Sequence, residues 1–140
     1  MYRIETTIEI NQSPEAVWSV LTNFDKYEEW NQFISSFKGD LVEGKIVSVS
    51  LGGMNFSPIL LKVEPNRKLI WLGKLLFKGL FDGQHEFIIT DLGNGKIRFD
   101  QNENFRGLLL PFLKSKLKRD IIPQFEQMNL DLKRQVELNA

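Results

Sequence analysis

The first residues alternate. Ile4, Thr6, Ile8 and Ile10 stand between Arg3, Glu5, Thr7 and Glu9, the period of two that gives a strand one buried and one wet face. The period then changes. Ser13 before Pro14 predicts a helix start, with the hydroxyl as cap, the proline in a turn that needs no N–H, and Glu15 at the positive end of the dipole. Val17, Leu21 and Phe24 continue one apolar face, and FDKYEEWNQFI at 24–34 predicts a second short helix or turn crowded with rings.

From residue 36 onward, strand-length segments alternate with turn punctuation: GD at 39, EGK at 43, GGMN at 52, EPNR at 64, KGLFDG at 78 and LGNG at 92. The segments fall near 45–51, 57–63, 68–77, 84–91 and 96–105, and loops this short make an antiparallel meander. After Pro111 the period becomes helical, with Leu113, Leu117, Ile121, Phe125, Met128, Leu132 and Val136 in one stripe. Pro123 lies inside that stripe. It lacks an N–H and crowds the preceding turn, which predicts a kink near 119–123.

The pattern as a whole predicts an α+β fold over one domain, residues 1–140. Six to seven antiparallel strands form a curved sheet around a long C-terminal helix, with two short helices after the first strand. The space between sheet and helix is the expected binding site.

Parity within the last hairpin says which residues face that space, because opposite residues in an antiparallel pair share a face. Pairing Ile89 with Ile97 and Phe87 with Phe99 leaves a three-residue turn and sets His85 opposite Gln101, with Glu103 on the diagonal. Phe105 continues the same face. Leu69, Trp71 and Leu75 extend the wall, Ile59, Leu61 and Val63 extend it further, and Phe125 and Met128 come from the helix. Tyr27 and Trp30, each with an apolar body and one polar tip, are expected at the cavity rim. Such a wall would suit a ligand with a hydrophobic body and one polar group. His85, Gln101 and Glu103 equally suit a structural hydrogen-bond set that closes the end of the sheet.

Composition narrows the chemistry. Eighteen basic residues balance eighteen acidic ones, so no whole-molecule field draws the chain to nucleic acid or an anionic membrane, which leaves only a local patch to do so. The basic residues are not interleaved with rings as a stacking platform requires. There is one histidine and no cysteine, which leaves zinc almost all-carboxylate ligation. No nucleophile elbow, HExxH helix, phosphate loop or dinucleotide fingerprint occurs, and neither a metal nor a cofactor is expected. The alternating N-terminus lacks the apolar block of a signal peptide, and the longest apolar run, LLLPFL at 108–113, is too short to span a membrane. A cytoplasmic monomer or homodimer is expected.

The chain resembles the helix-grip superfamily of START lipid-transfer domains, birch-pollen-allergen-like proteins and polyketide cyclase/dehydrase-like bacterial proteins, often called SRPBCC. The resemblance runs nearly end to end. It is carried by IEINQSPEAVWSVLTNFDKYEEWNQFI at 8–34, EPNRKLIWLGKL at 64–75, GLFDGQHEFIITDLGNGKIRFDQNENFRG at 79–107 and FEQMNLDLKRQVE at 125–137. It implies a helix-grip fold with an internal cavity, and most such proteins bind or carry a hydrophobic or amphipathic small molecule, lipid-like or polycyclic.

Two alternatives stand beside a carrier. One is a polyketide cyclase or dehydratase using His85 and Glu103, since a carboxyl carried into an apolar wall exchanges its proton nearer neutrality. The other is a membrane-contacting or partner-binding module built on RGLLLPFLKSKLKR at 106–119, where an apolar hook adjoins Lys114, Lys116, Lys118 and Arg119.

Overall fold

The computed structural model describes residues 1–75 and 77–138. The N-terminal alternation becomes β1 (Tyr2–Ile10), with Ile4 and Ile10 buried and Glu5, Thr7 and Glu9 exposed. Ser13 Oγ accepts the Ala16 N–H at 3.2 Å and opens α1 (Pro14–Leu21), a cap worth about 1 kcal/mol. A 3-10 turn (Phe24–Lys26) leads into the short α2 (Tyr27–Trp30).

Seven strands follow: β2 (Ile34–Lys38), β3 (Ser48–Leu51), β4 (Met54–Phe56), β5 (Ile59–Glu64), β6 (Lys68–Lys74), β7 (Asp82–Gly93) and β8 (Lys96–Arg106). Five of the strands pair in the order β1-β8-β7-β6-β5, and β2-β3-β4 form a smaller sheet. Every pairing is antiparallel. The two sheets are stitched together where Val47 N–H donates to the Pro58 carbonyl and Leu60 N–H to the Lys45 carbonyl, both at 2.9 Å. The architecture is the expected α+β one, with the meander divided between two sheets. The expected strand at 68–77 ends at Lys74, and its residue 76 lies outside the described residues.

Two registers differ from expectation. In the β7–β8 hairpin His85 faces Glu103, Phe87 faces Gln101 and Ile89 faces Phe99, two residues from the predicted pairing. The cause is the turn. Asn94 and Gly95 have φ of 55° and 75°, the left-handed pair of a two-residue hairpin, and the register shifts between Asp91 and Gly93 to accommodate it. A slip of two keeps each side chain on its predicted face but makes His85 and Glu103 direct partners. In β5 a bulge between Leu60 and Lys62 turns Leu60 inward, 1% exposed, and Leu61 outward, the reverse of the expected wall.

The C-terminal segment runs through α3 (Leu110–Lys116), a π turn (Leu117–Ile121) and α4 (Ile122–Leu138). The π turn ends two residues before Pro123, whose missing N–H cannot serve the Arg119 carbonyl. The interruption expected near 119–123 is therefore a widened turn within a continuing helix. Beyond it Phe125, Met128, Leu132 and Val136 are buried against the inward faces of β1, β7 and β8, where Ile4, Phe87, Ile97 and Phe99 complete the core.

Candidate functional site

A cavity of about 500 Å³ opens between the two sheets and the C-terminal helix. Its wall is mainly apolar. Phe33, Val49, Leu51, Met54 and Phe56 line it from the small sheet side, Trp71, Phe81 and Phe105 from the large sheet side, and Leu113, Leu117, Ile121 and Phe125 from the helix. The exposed residues Met54, Lys74 and Lys116 stand at its mouth.

The polar end consists of His85 and Glu103, whose strand register places them opposite each other. His85 is 1% exposed, and its ring stacks on Trp71 with centroids 4.8 Å apart and an interplanar angle of 17°. Nδ1 lies 2.8 Å from Glu103 Oε1, and Nε2 lies 2.9 Å from Gln101 Oε1.

The proton positions follow from the neighbours. Gln101 Nε2 donates to the Phe125 carbonyl at 3.3 Å and to Asn129 Oδ1 at 2.8 Å. A backbone carbonyl only accepts, so the amide orientation is set and Gln101 Oε1 is left to accept from His85 Nε2–H. Asn129 Nδ2 in turn donates to Thr6 Oγ1, and Thr6 Oγ1 to the Gln101 carbonyl. With Nε2–H committed, a single proton bridges Nδ1 and Glu103 Oε1, whichever atom carries it.

Gly83 makes room for this arrangement. A Cβ built there would overlap Glu103 Oε2. The absence of a side chain at residue 83 therefore lets the carboxylate lie across its neighbouring strand, with its side chain 16% exposed. Among the described residues Oε2 has no hydrogen-bond partner, while Oε1 is held by His85.

Of the residues expected to bind ligand, Trp71, His85, Glu103 and Phe125 line the cavity. Phe87, Phe99, Gln101 and Met128 stand behind it in the core, none more than 0% exposed. Tyr27 and Trp30 are elsewhere. Tyr27 is 1% exposed in a ring cluster with Phe24, Trp30 and Phe37, which reaches the cavity-lining Trp71 through Phe37 at 5.5 Å. Its hydroxyl donates to the Leu21 carbonyl, which draws the polar tip into the core rather than to a rim. Phe33 is the ring of that segment that lines the cavity.

Burial holds the Tyr27 phenol above its ordinary range. The folded state thus keeps this proton more tightly than the unfolded chain, whose pKa is about 10. Its contribution is complete below that pH and declines above it, by about 1.4 kcal/mol per pH unit. Urea titrations at rising alkaline pH should show this limb in the wild type and a flatter one in Tyr27→Phe. An identical limb in both would assign it to another group.

The sequence reading did not assign Phe33, the β3–β4 hairpin residues, Phe81 or Gly83 to the cavity. For the hairpin a signal was present, because Gly52 and Gly53 form a two-residue turn between SVSL and MNF and set Leu51 opposite Met54. For Gly83 there was none, since its role depends on the partner strand.

Among the described residues no three His, Asp or Glu side chains form a group able to hold a metal ion, and no helix is long and apolar enough to cross a membrane. The family model for polyketide cyclase / dehydrase and lipid transport matches residues 1–137. The chain belongs to this family. No curated protein sequence matches it. Among solved structures, a Mesorhizobium loti protein shares the fold, at 17% identity and TM-score 0.78 over 99% of both chains. A START superfamily protein from Mycobacterium smegmatis matches at 18% identity and TM-score 0.74 over 100% of both. A Streptomyces aromatase/cyclase matches at 12% identity and TM-score 0.77, over 97% of this chain and 93% of its own. Likeness at such identities establishes the shared fold alone.

Proposed function

We propose that the protein binds an amphipathic small molecule whose apolar body, lipid-like or polycyclic, fills the cavity and whose single polar group reaches Glu103. The observation that carries this reading is Glu103 Oε2, a carboxylate oxygen without a hydrogen-bond partner among the described residues, in a wall that is mainly apolar. The cavity volume of about 500 Å³ is within the usual range for small-molecule sites. Trp71, Phe105 and Phe125 offer flat faces to a ring system or chain, and Oε2 would accept a hydrogen bond from a ligand hydroxyl. The family's description, which joins lipid transport to polyketide chemistry, supports ligands of this kind.

Retinol, an apolar fluorescent body with one hydroxyl, is a suitable probe. Its affinity should fall about ten- to a hundredfold in Glu103→Leu, the cost of leaving the buried ligand hydroxyl without its acceptor, while its methyl ether should bind wild type and variant alike. Equal retinol affinity in both proteins would remove Glu103 from the site.

A second reading is favoured by the shared proton. A His–Glu pair that holds one proton at a cavity wall, with its other nitrogen committed to Gln101, is suited to passing that proton to and from a bound carbonyl or hydroxyl, as a cyclase or dehydratase would. In that case Glu103→Gln should abolish turnover of a polyketide-like substrate yet bind it nearly as well as the wild type. Binding without turnover in the wild type would leave the carrier.

A further inference from the structure

The tip of the molecule beside the cavity mouth is both apolar and basic. The loop after β6 and the segment after β8 lie side by side, because Leu108 N–H donates to the Gly79 carbonyl at 3.1 Å and Leu109 N–H to the Leu80 carbonyl at 3.0 Å. Gly107, at φ 130°, permits this approach, since a Cβ there would run into the Leu80 backbone. Phe81 stacks on Phe105 at 5.6 Å and anchors the loop to the sheet.

On this base the apolar hook divides. Leu109, Leu110 and Leu113 turn partly inward and Leu117 is buried, whereas Phe77, Leu108 and Phe112 are 57%, 74% and 83% exposed. Three large side chains, Phe77 and Leu108 on the joined loops and Phe112 in the first turn of α3, leave apolar area that a fold gains nothing by exposing.

Charge says what covers it. Residues 74–82 and 106–120 hold seven basic side chains, Lys74, Lys78, Arg106, Lys114, Lys116, Lys118 and Arg119, against two acidic ones. The rest of the chain holds eleven basic against sixteen acidic. All seven cations are exposed. Both acids are engaged: Asp82 accepts from the Gly79 N–H at 3.0 Å, and Asp120 pairs with Arg119 at 3.1 Å. A neutral protein is thus polarised, with the positive pole around the three exposed apolar side chains. Two copies meeting at this tip would bring like charges together, which argues against a second chain as the occupant.

We propose that this tip docks on anionic lipid bilayers, with Phe77, Leu108 and Phe112 entering the interface and the surrounding lysines and arginines meeting lipid phosphates. The acidic remainder of the molecule is repelled from the same surface, so the docked orientation brings the mouth, marked by Lys74 and Lys116, next to the bilayer. A hydrophobic ligand could then pass between membrane and cavity without crossing water.

The test is sedimentation with vesicles of phosphatidylglycerol and phosphatidylcholine in equal parts, beside vesicles of phosphatidylcholine alone, at low and high ionic strength. The wild type should bind the anionic vesicles only, and lose them in high salt. Lys78→Ala with Lys118→Ala should weaken binding about 25-fold, and Leu108→Ala with Phe112→Ala about a hundredfold. None of these four positions lines the cavity, so both double variants should keep wild-type retinol affinity in solution, and failure to dock is distinguishable from failure to bind ligand. No sedimentation with anionic vesicles at low salt overturns the proposal. So does binding that survives the apolar replacements, equal binding to both vesicle types, or a concentration-dependent dimer abolished by Phe112→Ala.

Discussion

Tyr27→Ala should lower the unfolding free energy by about 3–5 kcal/mol while leaving the folded protein's affinity for its cavity ligand unchanged. Tyr27 is 1% exposed and meets Phe24 and Trp30 edge-on at 5.4 and 5.1 Å, with Phe37 at 6.4 Å. Truncation removes these contacts and leaves a void that the stacked Phe24 and Phe37, 3.7 Å apart, can only partly fill. The Leu21 carbonyl also loses the hydroxyl it accepts from. Chemical denaturation beside retinol titration of the folded protein separates the two effects. Affinity that falls together with stability would return Tyr27 to the cavity rim.

Gly83→Val should instead lower retinol affinity about ten- to a hundredfold, with a stability loss of about 1–3 kcal/mol for the buried His85 nitrogen left without its partner. Valine suits the interior of a strand better than glycine, and its cost falls on the Glu103–His85 pair. Its Cβ would take the space of Glu103 Oε2, forcing the carboxylate off the strand and away from His85. The variant should therefore resemble Glu103→Leu in binding, although the carboxylate is still present. A proton-detected NMR signal from the His85 ring would move with it, since Nδ1 loses its partner 2.8 Å away. Wild-type affinity in Gly83→Val would mean that Glu103 binds from another position or not at all.

The two variants bear on different parts of the sequence reading. Periodicity correctly indicated the inward faces of β7 and β8, because side-chain direction in a strand depends only on parity. The pairing was displaced by two residues, because register depends on turn geometry, here the left-handed Asn94–Gly95 pair. Leu61 is expected inward by parity and lies outward for a related reason: a bulge inserts one residue and reverses the parity beyond it. The rings of FDKYEEWNQFI were legible as buried, yet helical spacing cannot distinguish a core from a cavity wall. Both are apolar, and the difference is whether anything stands opposite.

What the sequence by itself determined about this protein is the order of its elements, the apolar face of each, and the candidate polar residues His85, Gln101 and Glu103. These follow from local rules, where period, caps and breakers act over a few residues. Tertiary structure alone decided that His85 meets Glu103, that Gly83 yields its space to that carboxylate, and that the cavity opens at Lys74 and Lys116 rather than at Tyr27. It also gathered seven cations from two distant segments onto one tip of a neutral chain. Each is a relation between residues far apart in sequence, and such distances are set by packing and register, which no local pattern contains.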